Sequence, residues 1–143
     1  MRSEKSCGAI VFRLEEGKPI YLLLFGPTYW GFVKGLSEKG ESEEETTLRE
    51  AEEETGMKIK LIHGFKERIE YTYRFDGEHI KKEVIFFVAE APSADVKLSQ
   101  EHEEFRWLEF DEAYMLTKYK NQKEILKKAH EFILKALQQK RLA

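Results

Sequence analysis

The sequence predicts an α/β protein in which helices cover a mixed β-sheet, and three observations point there. β-rich runs open the chain, a capped helix interrupts them after residue 42, and a second amphipathic helix closes it. The 143 residues are 41% hydrophobic and 36% charged, with nine Gly and three Pro. That composition suits a single domain over residues 1–143, with a core large enough to fold without disulfide or metal.

Each element has a local reason. Residues 6–12 and 19–25 are β-rich and joined by Leu14-Glu15-Glu16-Gly17, a hairpin-like connection. Residues 26–31 read as a loop, Phe32-Val33 as a short apolar pair, and residues 34–41 as another loop, rich in Gly and Lys. Ser42-x-x-Glu45 is a capping box and Gly56 a C-terminal stop, which together predict a helix about 14 residues long. Residues 58–62 and 65–75 return to β, turn at Asp76-Gly77 and come back over residues 79–89 as a long antiparallel hairpin. A loop over residues 92–97, a short strand over 104–109 and a short helix over 111–118 follow. Asn121-x-x-Glu124 is expected to cap the last helix. There Ile125, Ala129, Phe132, Ile133 and Ala136 share one stripe, while Lys123, Lys127, Lys128 and Lys135 are expected on a solvated face.

Composition excludes several functions. Twenty-four basic and 27 acidic residues leave a net charge of −3, against the basic field that general nucleic-acid binding needs. The one cysteine, Cys7, cannot build a disulfide scaffold or a multi-cysteine zinc cluster, and its apolar strand makes it a packing residue. The apolar runs at residues 21–25 and 84–89 fall far short of the roughly 20 residues that span a bilayer. Residues 1–5 are short, charged and lead straight into a strand, so a cytoplasmic protein is expected.

The acid is concentrated. Between residues 41 and 54, Glu41, Glu43, Glu44, Glu45, Glu50, Glu52, Glu53 and Glu54 face one cation, Arg49. Glu43, Glu44 and Glu45 sit in the first helical turn, where the helix dipole favours them. At about 100° per residue, Glu50, Glu53 and Glu54 fall at about 0°, 300° and 40° and converge on one side. Their repulsion costs a few tenths of a kcal/mol per pair, so something should neutralise them. Leu48, Ala51 and Thr55 lie near 100° to 160° and are expected to form the core face. Carboxylates beside that face would rim a cleft, where a hard divalent cation is the natural partner. Arg49, at about 260°, neighbours Glu53 and is placed to hold a carboxylate.

The wider spacing is Gly35-x5-Glu41-x7-Arg49-Glu50-Ala51-x-Glu53-Glu54-x-Gly56-Met57. At every fixed position it matches the signature box of the Nudix hydrolases, and on these residues the chain resembles that family. The resemblance implies a loop-helix-loop on an α/β/α sandwich with a mixed sheet between helices. It also implies Mg²⁺ or Mn²⁺ dependence and hydrolysis of a nucleoside diphosphate linked to another moiety. By the same likeness Glu50, Glu53, Glu54 and the Gly35 carbonyl are the metal ligands. Glu50 is the candidate general base, positioned by Arg49, and Glu41 an accessory ligand or loop stabiliser.

Beyond the box, the chain is most similar to the asymmetric diadenosine tetraphosphate hydrolases of that family. The likeness runs through Cys7-Gly8-Ala9-Ile10-Val11-Phe12, Gly64-Phe65-Lys66 with Tyr71, and Lys82 with residues 84–90. It continues in Leu98-Ser99-x-Glu101-His102-x-x-Phe105-Arg106-Trp107-Leu108 and in Tyr119. It implies stacking of adenine on Phe86 and Tyr119, because flat rings supply stacking area without base-specific hydrogen bonds. Tyr71, Lys34 and Lys82 are then phosphate contacts, and Glu101 a late ligand or base. His102 has an equal claim to a structural role. The family commonly has Trp-x-x-Pro-Lys-Gly-His before the box, where this chain has Val33 for the proline and Leu36 for the histidine. The lost proline is expected to loosen the loop that presents Gly35. A monomer or weak dimer acting on a small nucleotide is expected. Hydrolysis of a nucleoside triphosphate or an RNA 5′-triphosphate is the rival reaction, and a non-catalytic nucleotide-binding module the rival of another class.

Overall fold

A computed structural model describes residues 2–142. Its strands are β1 (Arg2–Glu15), β2 (Lys18–Phe25), β3 (Trp30–Gly31), β4 (Val33–Leu36), β5 (Lys60–Phe75), β6 (Glu78–Glu90) and β7 (Glu104–Leu108). Its helices are α1 (Glu43–Thr55), α2 (Phe110–Leu116) and α3 (Lys120–Leu142). One sheet has the order β3-β2-β1-β6-β5, with β4 also on β1 and β7 also on β2. The sheet is mixed, as expected: β1 and β6 run parallel, and the other pairs run antiparallel. Both hairpin turns put two consecutive residues in the left-handed region, Glu16-Gly17 and Asp76-Gly77. That backbone twist matches the twist of the strands it joins.

Strand alternation builds the two layers of core. Ile10, Phe12, Tyr21 and Leu23 point to one side of the sheet, where they pack with Phe86, Leu126, Ala129 and Ile133. Ala9, Val11, Leu22 and Leu24 point to the other, where Val33, Ala51, Met57 and Ile59 join them. One face is therefore covered by α3 and α2 and the other by α1, which gives the α/β/α sandwich. Each fully buried Leu, Ile or Phe in these layers contributes about 1.5–3 kcal/mol. Cys7 is wholly buried, in keeping with a packing role.

The structure departs from the sequence expectation at particular places. Residues 33–36 are not loop but β4, in register with β1 from Ser6↔Leu36 to Ala9↔Val33. Valine keeps its N–H and its β-branched side chain, and Val33 becomes a buried strand residue. The loop over residues 26–31 ends in the two-residue β3, paired with Leu24 and Phe25. Residues 60–75 form one strand whose register slips between Ile62 and Glu67, where Gly64 adopts a φ of 110°.

Both long helices also differ in detail. Leu48, expected in the core, is 40% exposed, while Thr46 and Thr47 are fully buried. The buried arc of α1 is thus turned toward its acidic side. At the start of α3 the cap lies two residues earlier than expected: the Tyr119 N–H donates to Gln122 Oε1 at 3.2 Å, and Asn121 lies inside the helix. This is only the return half of a capping box, since Tyr119 has no short polar side chain to accept a helix N–H, and the local rule therefore favoured Asn121. Lys123 leaves the solvated face, donating to the Tyr114 carbonyl and lying 4.6 Å from the centre of that ring.

Candidate active site

The acidic side chains take their positions from α1, and α1 takes its phase from its caps. The Ser42 hydroxyl accepts from the Glu45 N–H at 3.1 Å, and Glu45 accepts from the Ser42 N–H at 2.8 Å. At the other end Gly56, with φ 73°, donates to the Glu52 carbonyl at 2.8 Å. Held this way, the helix buries Thr46, Thr47, Ala51, Glu54 and Thr55. Glu54 therefore lies within the core stripe, 6% exposed. The Glu50 side chain is 15% exposed and that of Glu53 56%.

Glu54 is the most perturbed carboxyl of the three. Its Oε1 accepts from the Lys34 N–H at 3.0 Å, and its Oε2 lies 3.4 Å from His102 Nε2. Burial, aided by the Glu50 and Glu101 charges, pushes its pKa up to about 8 against the backbone bond and the positive charge of Lys34. Burial also lowers the pKa of His102, so the contact joins two groups that both favour neutrality rather than an ion pair. Burial raises the pKa of Glu50 as well, opposed by Arg49.

Arg49 organises the rest. Its Nε and Nη2 donate to the two oxygens of Glu41 at 2.6 and 3.0 Å, and Nη2 also donates to the Leu36 carbonyl at 2.9 Å. Its Nη1 donates to Glu50 at 2.9 Å and to Glu53 at 3.1 Å. The bidentate pairing holds Glu41 down at a pKa of about 2. Glu41 is therefore tied to the guanidinium. Through the Leu36 carbonyl the same guanidinium joins α1 to β4, the strand that carries Lys34 and Gly35.

Gly35 has a steric reason to be glycine. A Cβ there would lie 1.9 Å from the Glu50 carboxyl carbon. Gly35, Glu50, Glu53, Glu54 and Glu101 line one cleft of about 580 Å³, together with Lys34 and Lys82. Among the described residues, no three acidic, His or Cys side chains converge tightly enough to hold an ion as they stand. Glu50 and Glu53 are turned onto Arg49, and Glu54 onto Lys34 and His102. In kind, however, the set fits a hard divalent cation. It offers only oxygen donors, and two of its carboxyls have pKa values raised by crowding and burial, the condition that a bound cation relieves.

A second cleft, of about 710 Å³, adjoins the first and shares Lys34 and Lys82 with it. Its walls come from the loop before β3, from β4, β5 and β6, and from the start of α3. Tyr71 lines it, its phenol pushed up to about 12 chiefly by burial. Tyr119 lines it with 45% of its surface exposed. Phe86 is 3% exposed and packs edge-on against Phe32 at 5.8 Å, so it floors the cleft as a core residue and has little face open for stacking. Lys34 and Lys82 are both pushed below the ordinary lysine range by burial. Lys82 lies 3.5 Å from Glu4, which also accepts from the Tyr73 hydroxyl at 2.6 Å.

The structure thus brings the sequence candidates into two adjoining clefts and grades the three carboxylates, with Glu54 buried, Glu50 half-buried and Glu53 largely exposed. Sequence reasoning missed Tyr29, Phe32, Tyr73 and Gln122 as cleft residues. Tyr29 carried one signal, an aromatic in a Gly- and Pro-bearing loop, where burial is not the default. Gln122 carried none, since its role depends on a partner 92 residues away.

Residues 5–129 match the NUDIX domain family. An asymmetrical bis(5′-nucleosyl)-tetraphosphatase from Sus scrofa is 35% identical over 143 residues, covering 90% of this chain and 95% of its own. The structure is similar to that of a C. elegans Ap4A hydrolase in a binary complex, with a TM-score of 0.77 and 26% identity over 92% of this chain and 98% of that one. It shares its fold with the E. coli dihydroneopterin triphosphate pyrophosphohydrolase, TM-score 0.70 at 17% identity, covering 90% of this chain and 97% of that one. With the box on α1, the sandwich around it and these likenesses in agreement, the chain belongs to the NUDIX domain family.

Proposed function

We propose that the protein hydrolyses diadenosine tetraphosphate asymmetrically, to ATP and AMP, with Mg²⁺ or Mn²⁺ as its divalent cation. The observation that carries this reading is the junction of an aromatic cleft with an acidic one at Lys34 and Lys82. A base, a polyphosphate and a cation fit that sequence of surfaces. NUDIX hydrolases generally use divalent metal ions, and relatives named for this reaction match 90% of the chain, which supports the substrate. We read the chain as one cytoplasmic domain, acting as a monomer or weak dimer, and its lone, free and buried thiol accords with a reducing compartment.

Glu50, Glu53, Glu54 and the Gly35 carbonyl would hold the cation, with Glu101 facing them across the cleft. When bound, the cation supplies Lewis acidity at phosphate oxygens and lowers the pKa of water. Lys34 and Lys82 bind the polyphosphate, whose negative charge favours their protonated form against the burial that lowers their pKa. Tyr71, still protonated at neutral pH, donates its hydroxyl to a phosphate oxygen. Glu50 accepts the proton of the attacking water, and Arg49 orients it from 2.9 Å. The water oxygen bonds to the terminal phosphorus, the anhydride bond beside it breaks, and ATP leaves with the electron pair. Tyr119 holds the adenine by stacking, which orients the phosphate chain between the two lysines.

A panel of dinucleoside polyphosphates and nucleoside triphosphates, assayed with Mg²⁺ and resolved by chromatography, tests the reading. Equimolar ATP and AMP from diadenosine tetraphosphate are expected. Faster turnover of a triphosphate, ADP as the sole product, or binding without turnover would each refute it.

A further inference from the structure

Tyr119 is 45% exposed, and its ring makes an edge contact with Tyr29, with centroids 5.3 Å apart and planes at 87°. The two tyrosines belong to segments 90 residues apart in sequence, the loop before β3 and the start of α3. One buried side chain spans them. Gln122, 8% exposed, accepts the Tyr119 N–H at 3.2 Å through Oε1 and donates from Nε2 to the Trp30 carbonyl at 3.0 Å. Among the described residues, no other side-chain hydrogen bond links residues 26–31 to residues 117–123. Gly31 sits against both partners: a Cβ there would lie 3.5 Å from the Tyr29 ring and 3.6 Å from Gln122 Nε2.

We propose that Gln122 is a positioning residue for base binding, bridging Trp30 to Tyr119 so that the Tyr29–Tyr119 pair presents a fixed aromatic wall to the cleft. The inference deepens the adenine-nucleotide reading and rests on it. Each end of the amide has one task. The acceptor end fixes where α3 begins and with it the Cα of Tyr119. The donor end fixes the strand that follows Tyr29. Each atom of the amide is engaged by one backbone group, the oxygen by the Tyr119 N–H and the nitrogen by the Trp30 carbonyl. The lysines at the far end of the cleft contact neither partner, so phosphate binding is independent of the bridge.

Two variants separate the tasks. Gln122→Glu keeps an acceptor for the Tyr119 N–H and loses the donor to Trp30, and Gln122→Leu loses both. For wild type and both variants, calorimetry would measure binding of ATP and of inorganic tripolyphosphate, and thermal unfolding would be followed alongside. The expected result is ATP binding weakened about tenfold in both variants, the scale of one buried hydrogen bond and the ring it orients, with tripolyphosphate binding within about twofold of wild type. Steady-state KM for diadenosine tetraphosphate should rise by the same factor while kcat holds. Equal loss for ATP and tripolyphosphate, or a lowered Tm with ATP affinity unchanged in Gln122→Glu, overturns the proposal. Failure of wild type to bind ATP would instead remove the nucleotide reading, and this inference with it.

Discussion

The two clefts meet at Lys34 and Lys82 but are built in opposite ways. The acidic cleft draws most of its chemistry from one helix and one adjoining strand: a single guanidinium sets Glu50 and Glu53 by hydrogen bonds of 2.9 to 3.1 Å, and the Lys34 N–H sets Glu54 at 3.0 Å. The aromatic cleft is assembled from three strands, a loop and a helix start, with side-chain hydrogen bonds few and apolar packing dominant. The difference teaches where each is fragile. If the acidic cleft holds the reacting groups as proposed, a change of one atom there should be severe. In the aromatic cleft the wall is shared, so a lost ring should weaken binding and leave the chemical step intact.

The largest expected effect tests the acidic side. Glu50→Gln, isosteric but unable to take a proton, should lower kcat about 10²–10⁴-fold with the fold preserved by circular dichroism. Glu54→Gln should do the same through lost charge, and near-normal turnover in either would end the assignment. Next comes Gly35→Ala, which places a methyl group 1.9 Å from the Glu50 carboxyl carbon. Displacing that carboxylate by about 1 Å should cost about 10²-fold in kcat/KM with little change in Tm.

Stability against pH probes the same cleft without turnover. In the metal-free protein the Glu54 carboxyl has a pKa of about 8 against an ordinary 4.5. Below 4.5 the folded and unfolded forms are both protonated there, and the residue imposes no ionisation cost. Between 4.5 and 8 the unfolded chain releases the proton while the folded one retains it, so stability falls as pH rises and levels off above 8. Denaturant titrations of metal-free protein should show that fall, on the order of a few kcal/mol, and Glu54→Gln should reduce it. A slope unchanged by the substitution would show that Glu54 is not strained by its burial.

The smallest effect belongs to the aromatic side. Tyr119→Ala should raise KM for adenine-bearing substrates about tenfold, the cost of one lost stacking partner, with kcat held within about twofold. If kcat fell with it, the two clefts would be coupled more tightly than their construction suggests.

Legibility in the sequence follows the same division. The Ser42 capping box, the Gly56 stop and the Glu50, Glu53, Glu54 spacing were readable because a helix repeats every 3.6 residues and its caps are local. The mixed sheet and both hairpin turns were readable from β-rich runs and left-handed turn residues. Leu48 was misplaced because a wheel gives angles within a helix but not which angle faces the sheet. The cap of α3 was misplaced because Asn121 satisfied the local rule and Tyr119 did not, whereas the observed frame goes with the bond from Gln122 to the distant Trp30. Val33 was expected to loosen its segment because its partner strand, residues 6–9, is unseen until the chain is folded.

The sequence by itself determined the chemistry of the acidic helix and the alternation that makes a two-faced sheet, since both rest on contacts within a few residues. Only the tertiary structure decided that Glu54 is buried, that Phe86 is floor rather than stacking surface, and that Tyr29, Tyr119 and Gln122 form one wall. The reason is physical: periodicity fixes a side chain's angle about its own axis, whereas burial and the distance between strangers in sequence depend on how separate axes dock.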